Sequence, residues 1–213
     1  MPKFPEPPGL EVIRRIEPAV KTVMKGTRLA RVYFTGGEHP TRWDEFRHFG
    51  PTNARFDHHL EDAHGQSFVQ ERSIFYCAAL ADTCLAEVVQ ETRRINRTRN
   101  APWLAIFVLQ HDMDLLDLTG AYPTRVGASM AINAGNRARV REWAKRFYDA
   151  YEPLQGVYYA SSMNGNEPAI ALTDRAEKSG GLPTHPELNR ALADDSLLDV
   201  LKYSAHRLGY ALL

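Results

Sequence analysis

Two arginines and one glutamate occupy positions where charged side chains are unusual. Arg31 lies inside the apolar run "RLARVYFT", and Arg55 lies between apolar neighbours in "NARF". Glu87 falls at the border of the apolar stripe of a predicted helix. Guanidinium groups bind phosphate oxygens through paired hydrogen bonds, and a carboxylate stabilises a developing cation. These residue types suit a site for a phosphorylated substrate, although a strand Arg is usually at an edge and a lone helical Glu is usually exposed.

Three uncharged polar residues could complete such a site. Tyr76 lies in the strand-like "IFYCAALA", eleven residues before Glu87. In "GVYYASS", Tyr159 and Ser161 share one face because side chains alternate along a strand. Tyrosines offer stacking faces and hydroxyl groups, although buried tyrosines usually only pack. The spacing by itself leaves both interpretations open.

The elements that must position these residues are strands interleaved with a few helices. Apolar and β-branched runs indicate strands, and apolar residues at 3.6-residue spacing indicate helices. The predicted strands cover 28–35, 73–80, 103–110, 156–162 and 169–173. The predicted helices cover 11–26, with an interruption near Pro18, 82–99 and 136–153. Asp82 is the predicted N-cap of the second helix, and the C-terminal tail is predicted to end in a strand that returns to the sheet. We predict an α+β fold, with one domain built on a mixed or antiparallel sheet with flanking helices.

The remaining segments are predicted to be irregular. Prolines at positions 2, 5, 7 and 8 predict a loose tail over 1–9, and polar, Gly-rich and Pro-rich composition predicts long loops over 36–53 and 58–72. His58, His59 and His64 lie in the second loop without the spacing of metal ligands. We therefore expect these histidines to be solvated, and we predict no metal site.

Composition narrows the classes of partner. The 26 basic residues balance 26 acidic ones, so no overall field attracts nucleic acid or anionic lipid, and a small molecule or a protein is the expected partner. Cys77 and Cys84 form neither a disulfide framework nor a zinc pattern. The longest apolar runs are shorter than the ~20 residues that span a bilayer, and the N-terminus lacks a signal-peptide pattern. We expect a soluble protein in a reducing cytoplasm.

The order of these residues resembles the RES domain family, which is named for its Arg, Glu and Ser. The resemblance covers most of the chain and is carried mainly by "IFYCAALADTCLAEV" and "AKRFYDAYEPLQGVYYASS". By position, the family's catalytic residues correspond to Arg55, Tyr76, Glu87 and Ser161. The arginine that opens the family domain corresponds to Arg31, and Tyr159 is a second candidate for substrate binding.

The resemblance implies an ADP-ribosyltransferase-like fold and an enzyme that degrades NAD. NAD would be the substrate, with no separate cofactor and with inorganic phosphate as a candidate co-substrate. The implied reaction cleaves the nicotinamide–ribose bond by phosphorolysis or hydrolysis, commonly in the toxin of a toxin–antitoxin pair. The implied partners are NAD, a cognate antitoxin and a second copy of the chain in a homodimer, without direct contact to nucleic acid. The domain organisation is predicted as an N-terminal extension (1–26) and a RES-like catalytic domain (27–213).

Two alternatives keep the resemblance but change the function. The site could transfer ADP-ribose to a protein target, or it could be degenerate and leave a binding module. Ala54 replaces the glycine that usually precedes the family arginine, and the loops 36–53 and 58–72 are longer than in compact members. These departures bear on the activity more than on the fold.

Overall fold

A large mixed sheet runs through the computed structural model, which describes residues 3–213. The strands of the chain are β1 (Val20–Val23), β2 (Arg28–Phe34), β3 (Arg47–Gly50), β4 (Phe68–Ala78), β5 (Arg94–Ile95), β6 (Pro102–Val108), β7 (Met113–Asp117), β8 (Gly156–Ala160), β9 (Pro168–Thr173), β10 (Leu188–Ala191) and β11 (Ala211–Leu212). The helices are α1 (Leu10–Arg14), α2 (Ala81–Val88), α3 (Tyr122–Arg125), α4 (Arg137–Ala150), α5 (Asp174–Ser179) and α6 (Leu198–Leu208). Short 3₁₀ turns cover Met130–Asn133 and Asp195–Leu197.

The sheet order explains how distant segments meet. Within the described residues the main sheet has the order β1-β7-β8-β9-β4-β2-β6-β10, with β3 paired to β4. The neighbours are antiparallel except for β7 and β8, while β5 and β11 form a separate parallel pair. The predicted α+β class, with one domain and a mixed sheet flanked by helices, is confirmed.

The sheet opens between β2 and β4. These strands share a single register pair, Ala30 with Ala78, and β2 otherwise pairs along its length with β6. On the same edge of β4, β3 takes the place of β2 as the paired strand, and its pairing begins where Arg47 lies opposite Ile74. The backbone of β4 from 75 to 77 therefore has neither neighbour on this edge. The opening lies in the middle of the sheet, and Tyr76 is at its centre.

Side-chain alternation on β4 separates two hydrophobic clusters. Ile74 and Ala78 pack with the larger cluster, which includes the buried face of α4, while Phe75 and Cys77 pack with the smaller one. This is the period-2 pattern expected of a strand buried on both sides. The helix predicted over 136–153 is present as α4, with its apolar stripe against the core.

The N-terminal region differs from its prediction. Helix α1 ends at Arg14, and the "VKTV" segment forms the edge strand β1 instead of continuing the helix predicted over 11–26. Pro18 disfavours a continuous helix, and the β-branched residues after it suit a strand that pairs with β7. The tail predicted to be loose over 1–9 is packed where the structure describes it, since Phe4 stacks on Trp143 and the Pro5 carbonyl accepts a bond from Trp143 Nε1 at 3.0 Å. The assignment of 1–26 to an extension stays a prediction.

The helix predicted over 82–99 is too long. Helix α2 ends at Val88, and Arg93 has a positive φ of 50° that turns the chain into β5. Ile95 is buried in β5 and not in the apolar stripe of a helix, because β5 pairs with the final strand β11. The C-terminal strand therefore pairs with β5 and does not return to the main sheet as predicted. The N-cap prediction is also wrong: the α2 N-cap is Leu80, without a side-chain cap bond, and the Asp82 carboxylate binds α6. Among residues 3–213, none of the helices combines the length and apolar character needed to cross a membrane.

Candidate active site

A cavity of about 390 Å³ lies at the opening between β2 and β4, beside α2. Its volume is within the range of roughly 300–1,000 Å³ that is usual for small-molecule sites. Helix α2 is fixed against β2 by Cys84, whose Sγ donates to the Ala30 carbonyl at 3.0 Å. The predicted site residues that line this cavity are Arg31, Arg55, Tyr76, Glu87 and Tyr159. The sixth, Ser161, contacts Glu87 directly.

Glu87 is brought to the cavity wall by the last turn of α2. Its Oε1 accepts a 2.5 Å hydrogen bond from Ser161 Oγ. Burial raises the pKa of Glu87, while the Ser161 hydroxyl and the charges of Arg55 and Arg137 act in the opposite direction. The result is a partly desolvated carboxylate that accepts one hydrogen bond, from Ser161, and lies near two guanidinium groups. Such a group interacts strongly with a cation that forms next to it.

Ser161 follows β8 and is fully buried. Its backbone N–H donates to the Glu167 carbonyl, and its carbonyl accepts from Asn166 N, each at 3.0 Å, so the turn after β8 is fixed. Its Oγ accepts from the backbone N–H of Met163 at 3.2 Å. Because the oxygen already accepts this bond, the hydroxyl proton is free to point at Glu87. The serine is thereby held as a hydrogen-bond donor to the carboxylate.

Arg31 is a buried cation for which the described residues provide no ion-pair partner. The residue is 9% exposed, its guanidinium carbon lies 3.9 Å from the centre of the Phe75 ring, and its Nη1 has no hydrogen-bond partner among the described residues. Burial lowers the pKa of Arg31 to about 10, so the group is still charged at neutral pH. An unpaired buried charge is destabilising unless a ligand compensates it. Arg31 is therefore a candidate to bind an anionic group.

Arg55 enters from the loop between β3 and β4. Its Nη1 donates to the Gly135 carbonyl at 2.8 Å, which ties this loop to the start of α4. Burial lowers the pKa of Arg55 and the nearby Glu87 carboxylate raises it, without a direct ion pair between them in the described structure. Arg137 also lines the cavity and pairs with the exposed Glu91 at 3.0 Å.

Tyr76 and Tyr159 are both kept protonated by their surroundings. Burial raises the pKa of each phenol, and nearby carboxylates raise it further. Tyr76 OH is buried and has no hydrogen-bond partner within residues 3–213. Tyr159 packs its ring 4.6 Å from that of Phe56. Tyr76 can therefore donate to a ligand, whereas Tyr159 forms a largely apolar part of the wall.

Several residues of the cavity are not among the site residues predicted from the sequence. Arg47, Thr52 and Arg137 line it, and so do Thr41 and Asn53 of the loop 36–53. The only sequence signal for Arg47 is a charged residue in the short alternating run "RHF", which also fits an exposed strand. Part of the long first loop is thus a wall of the cavity.

The histidines of the second loop are not all solvated as expected. His58 and His59 are 2% and 0% exposed, whereas His64 is exposed. His58 stacks on Tyr148, and His59 Nδ1 lies 2.5 Å from an oxygen of Asp57. In the part of the chain that the structure describes, no three His, Cys, Asp or Glu side chains cluster so as to hold a metal ion.

The sequence matches the model of the RES domain family over residues 28–194. This chain belongs to the RES domain family. The fold is similar to that of a chain in the crystal structure of the M. tuberculosis MbcT–MbcA toxin–antitoxin complex, with a TM-score of 0.56 and 17% sequence identity. The similarity covers 91% of this chain and 96% of that chain. No curated protein gives a significant sequence match.

The RES match ends before α6, yet α6 is connected to the site. Arg207 of α6 contacts Asp82 through Nε at 3.0 Å and donates from Nη2 to Asn164 Oδ1 at 3.1 Å. Asn164 in turn donates to Thr83 Oγ1 at 2.9 Å, and Thr83 lines the cavity. These bonds join α2, which carries Glu87, to the turn after β8. The C-terminal helix thus supports the relative placement of the two segments.

Proposed function

We propose that this RES protein cleaves the bond between nicotinamide and ribose in NAD. The observation that carries the proposal is the Ser161–Glu87 contact on the wall of a cavity that also holds the unpaired cation Arg31. A carboxylate for a developing cation and guanidinium groups for phosphates are the two requirements of this reaction. Family membership supports the same substrate.

The leaving group of this reaction does not need to be protonated by the protein. Nicotinamide in NAD carries a positive ring nitrogen, so the C–N electron pair moves to that nitrogen and neutral nicotinamide departs. The ribose carbon becomes oxocarbenium-like, as in glycoside cleavage but without protonation of the leaving group. Glu87 would lie next to the position where this charge develops and would also accept hydrogen bonds from ribose hydroxyls. Ser161 fixes the orientation of the carboxylate.

The arginines would hold the anionic parts of the substrates. Arg31 and Arg55 would bind the pyrophosphate, or the inorganic phosphate that attacks the ribose carbon. Tyr76 would donate its free hydroxyl to a ribose or phosphate oxygen, and Tyr159 would pack against the nucleoside. The acceptor is inorganic phosphate or water, and the excess of guanidinium groups over carboxylates at the cavity favours phosphate.

We further propose that the protein acts as a toxin with a cognate antitoxin. The supporting observation is its fold similarity to a chain from a toxin–antitoxin complex, together with family membership. Expression in bacterial cells should lower cellular NAD and arrest growth, and Glu87→Gln should abolish both effects. Growth arrest without loss of NAD would contradict an NAD-based toxicity.

The products identify the reaction. Purified protein is incubated with NAD in phosphate buffer and in phosphate-free buffer, and the products are analysed by mass spectrometry. Phosphorolysis gives nicotinamide and a product one phosphoryl group heavier than ADP-ribose, while hydrolysis gives nicotinamide and ADP-ribose. ADP-ribose found attached to added cell proteins would indicate the transferase alternative. The absence of nicotinamide at high protein concentration would contradict the proposal.

A further inference from the structure

Arg47 brings another guanidinium group to the cavity. It begins β3, opposite Ile74 of β4, and its side chain is 28% exposed. Its Nη1 donates to the Phe49 carbonyl, and its Nη2 lies 2.8 Å from Asp57 Oδ2. A guanidinium group has five N–H donors, so donors remain for a ligand in the cavity.

Asp57 binds both to Arg47 of β3 and to the loop after β3 that carries Arg55. It is completely buried, and its Oδ2 also accepts from Thr52 N at 2.7 Å and from Thr52 Oγ1 at 3.0 Å. Its Oδ1 accepts from the backbone N–H of His59 at 3.2 Å and contacts His59 Nδ1. One carboxylate therefore binds the strand before the loop, the loop itself and the segment after it.

The packing leaves this arrangement little freedom. A Cβ added to Gly50 would lie 2.5 Å from His59 Cγ, so only glycine permits the close approach of β3 to the segment that contains Asp57. The hydrogen bond from His59 and the charge of Arg47 hold the pKa of Asp57 below its usual range despite burial. The carboxylate is thus a fixed negative charge behind the cavity wall.

The position of the Arg47–Asp57 ion pair at the cavity indicates a role in ligand binding in addition to a role in stability. Arg47 and Thr52 line the cavity, whereas Asp57 lies behind them and does not. A structural pair could be replaced by apolar residues without loss, since burial of the charges costs about as much as their attraction gains. A guanidinium held rigidly at the wall, with donors to spare, is instead preorganised for an anion.

We propose that Arg47 is a further phosphate-binding residue of the site and that Asp57 is its positioning residue. Arg47 binds a phosphate oxygen of the dinucleotide, and Asp57 acts through Arg47, which it holds in place. This inference rests on the proposed function, because it concerns the anionic part of the same substrate. It assigns roles in recognition to Arg47 and Asp57, neither of which is among the site residues predicted from the sequence.

The experiment uses ADP-ribose binding by calorimetry together with KM and kcat for NAD. The variants are Arg47→Gln, Asp57→Asn and their combination. Arg42→Gln is the matched control, since Arg42 is an exposed arginine of the connection between β2 and β3, pairs with Asp44 at 2.7 Å and does not line the cavity. Circular dichroism and melting curves establish that each variant is folded.

We expect Arg47→Gln to weaken ADP-ribose binding and raise KM by about 10–100-fold, the usual effect of losing a hydrogen bond to a charged group, with a smaller change in kcat. Asp57→Asn should act in the same direction, and the double variant should be no weaker than the more affected single variant. If Asp57→Asn does not fold, Thr52→Val replaces it, because it removes the Thr52 hydroxyl bond while retaining the backbone bond. Arg42→Gln should equal the parent.

Two results would overturn the inference while leaving the proposed function intact. One is parental ADP-ribose affinity and KM in folded Arg47→Gln, which would make Arg47 a structural residue. The other is full additivity of Asp57→Asn, or of Thr52→Val, with Arg47→Gln, which would show that the positioning does not pass through Arg47. If the parent protein neither binds ADP-ribose nor cleaves NAD, the proposed function fails and this inference fails with it.

Discussion

Ser161 and Glu87 are 74 positions apart in the chain, and the hydroxyl of one donates to the carboxylate of the other at 2.5 Å. The contact joins the turn after β8 to the last turn of α2 at the wall of one cavity. Burial raises the pKa of the Glu87 carboxylate, and the hydrogen bond from Ser161 is the strongest of the interactions that oppose this rise. The charge on Glu87 is central to the proposed chemistry, so its ionisation should be visible in the pH dependence of the enzyme.

The first prediction concerns that pH dependence. Turnover needs ionised Glu87, so kcat/KM should fall on the acid side, starting above the ordinary glutamate pKa of about 4.3 because burial raises the pKa of Glu87. Ser161→Ala removes the donor that lowers this pKa, so the acid limb should move to higher pH. The measurement is kcat/KM for NAD from pH 4 to 9.

A matched control exists for the serine. Ser73 is also buried and donates to a glutamate, Glu177, at 2.6 Å, but it does not line the cavity. Ser73→Ala should leave the acid limb where it is in the parent. An unmoved limb in Ser161→Ala would show that Ser161 does not control the ionisation of Glu87.

The second prediction is that Arg31→Met stabilises the free protein and weakens NAD binding. Burial lowers the pKa of Arg31, so the charged form costs stability at neutral pH and this cost disappears only above about pH 10. Removing an unpaired buried charge should gain about 1 kcal/mol, or about 2–4 °C in Tm for a chain of this size. Calorimetry with NAD measures the loss of affinity.

Arg72→Met is the control for Arg31→Met, because Arg72 is an arginine that has an ion-pair partner. It pairs with Asp149 at 2.8 Å and lies over the Tyr148 ring, so Arg72→Met should lower Tm. If both variants lower Tm alike, Arg31 is not the uncompensated charge that the geometry indicates.

The third prediction distinguishes the role of Arg55, which would bind phosphate, from that of Glu87, which would stabilise the developing positive charge. Arg55→Ala should raise KM for NAD at least about tenfold, because a guanidinium that holds phosphate acts in the ground state as well as the transition state. Arg139→Ala is the control, since Arg139 pairs with Glu6 outside the cavity. An Arg55→Ala enzyme with the parental KM would contradict the role of Arg55 in binding.

Much of the fold could be predicted from local patterns. Strands β2, β4, β6, β8 and β9 and helix α4 all have clear apolar periodicity, and the structure places them close to the predicted ranges. The end of α2 could not be predicted in this way. The apolar residues Val88 and Ile95 continue the helical spacing, but Ile95 is buried through the pairing of β5 with β11, which is a contact between distant segments.

The site was predictable only in part. Glu87 and Ser161 could be selected by residue type and by their order along the chain. Their contact, however, depends on the sheet order, in which β9 lies between β8 and β4. Arg47 and Asp57 have no periodic or motif signal, because their pairing arises where β3 replaces β2 along the edge of β4. The burial of His59 follows from the same packing. Loop residues that are buried by such contacts have no local pattern that predicts them.

The most direct test of the account is the comparison of Glu87→Gln with the parent protein in nicotinamide release from NAD. Gln keeps the size of the side chain and an acceptor for Ser161 but removes the charge that matters when the ribose becomes cationic. Because burial disfavours the ionised form of Glu87, the variant should be at least as stable as the parent, and a melting curve checks this. We predict that kcat falls by about 10²–10³ while the affinity for NAD is nearly unchanged. Release of nicotinamide at the parental rate by the folded variant would contradict the central claim.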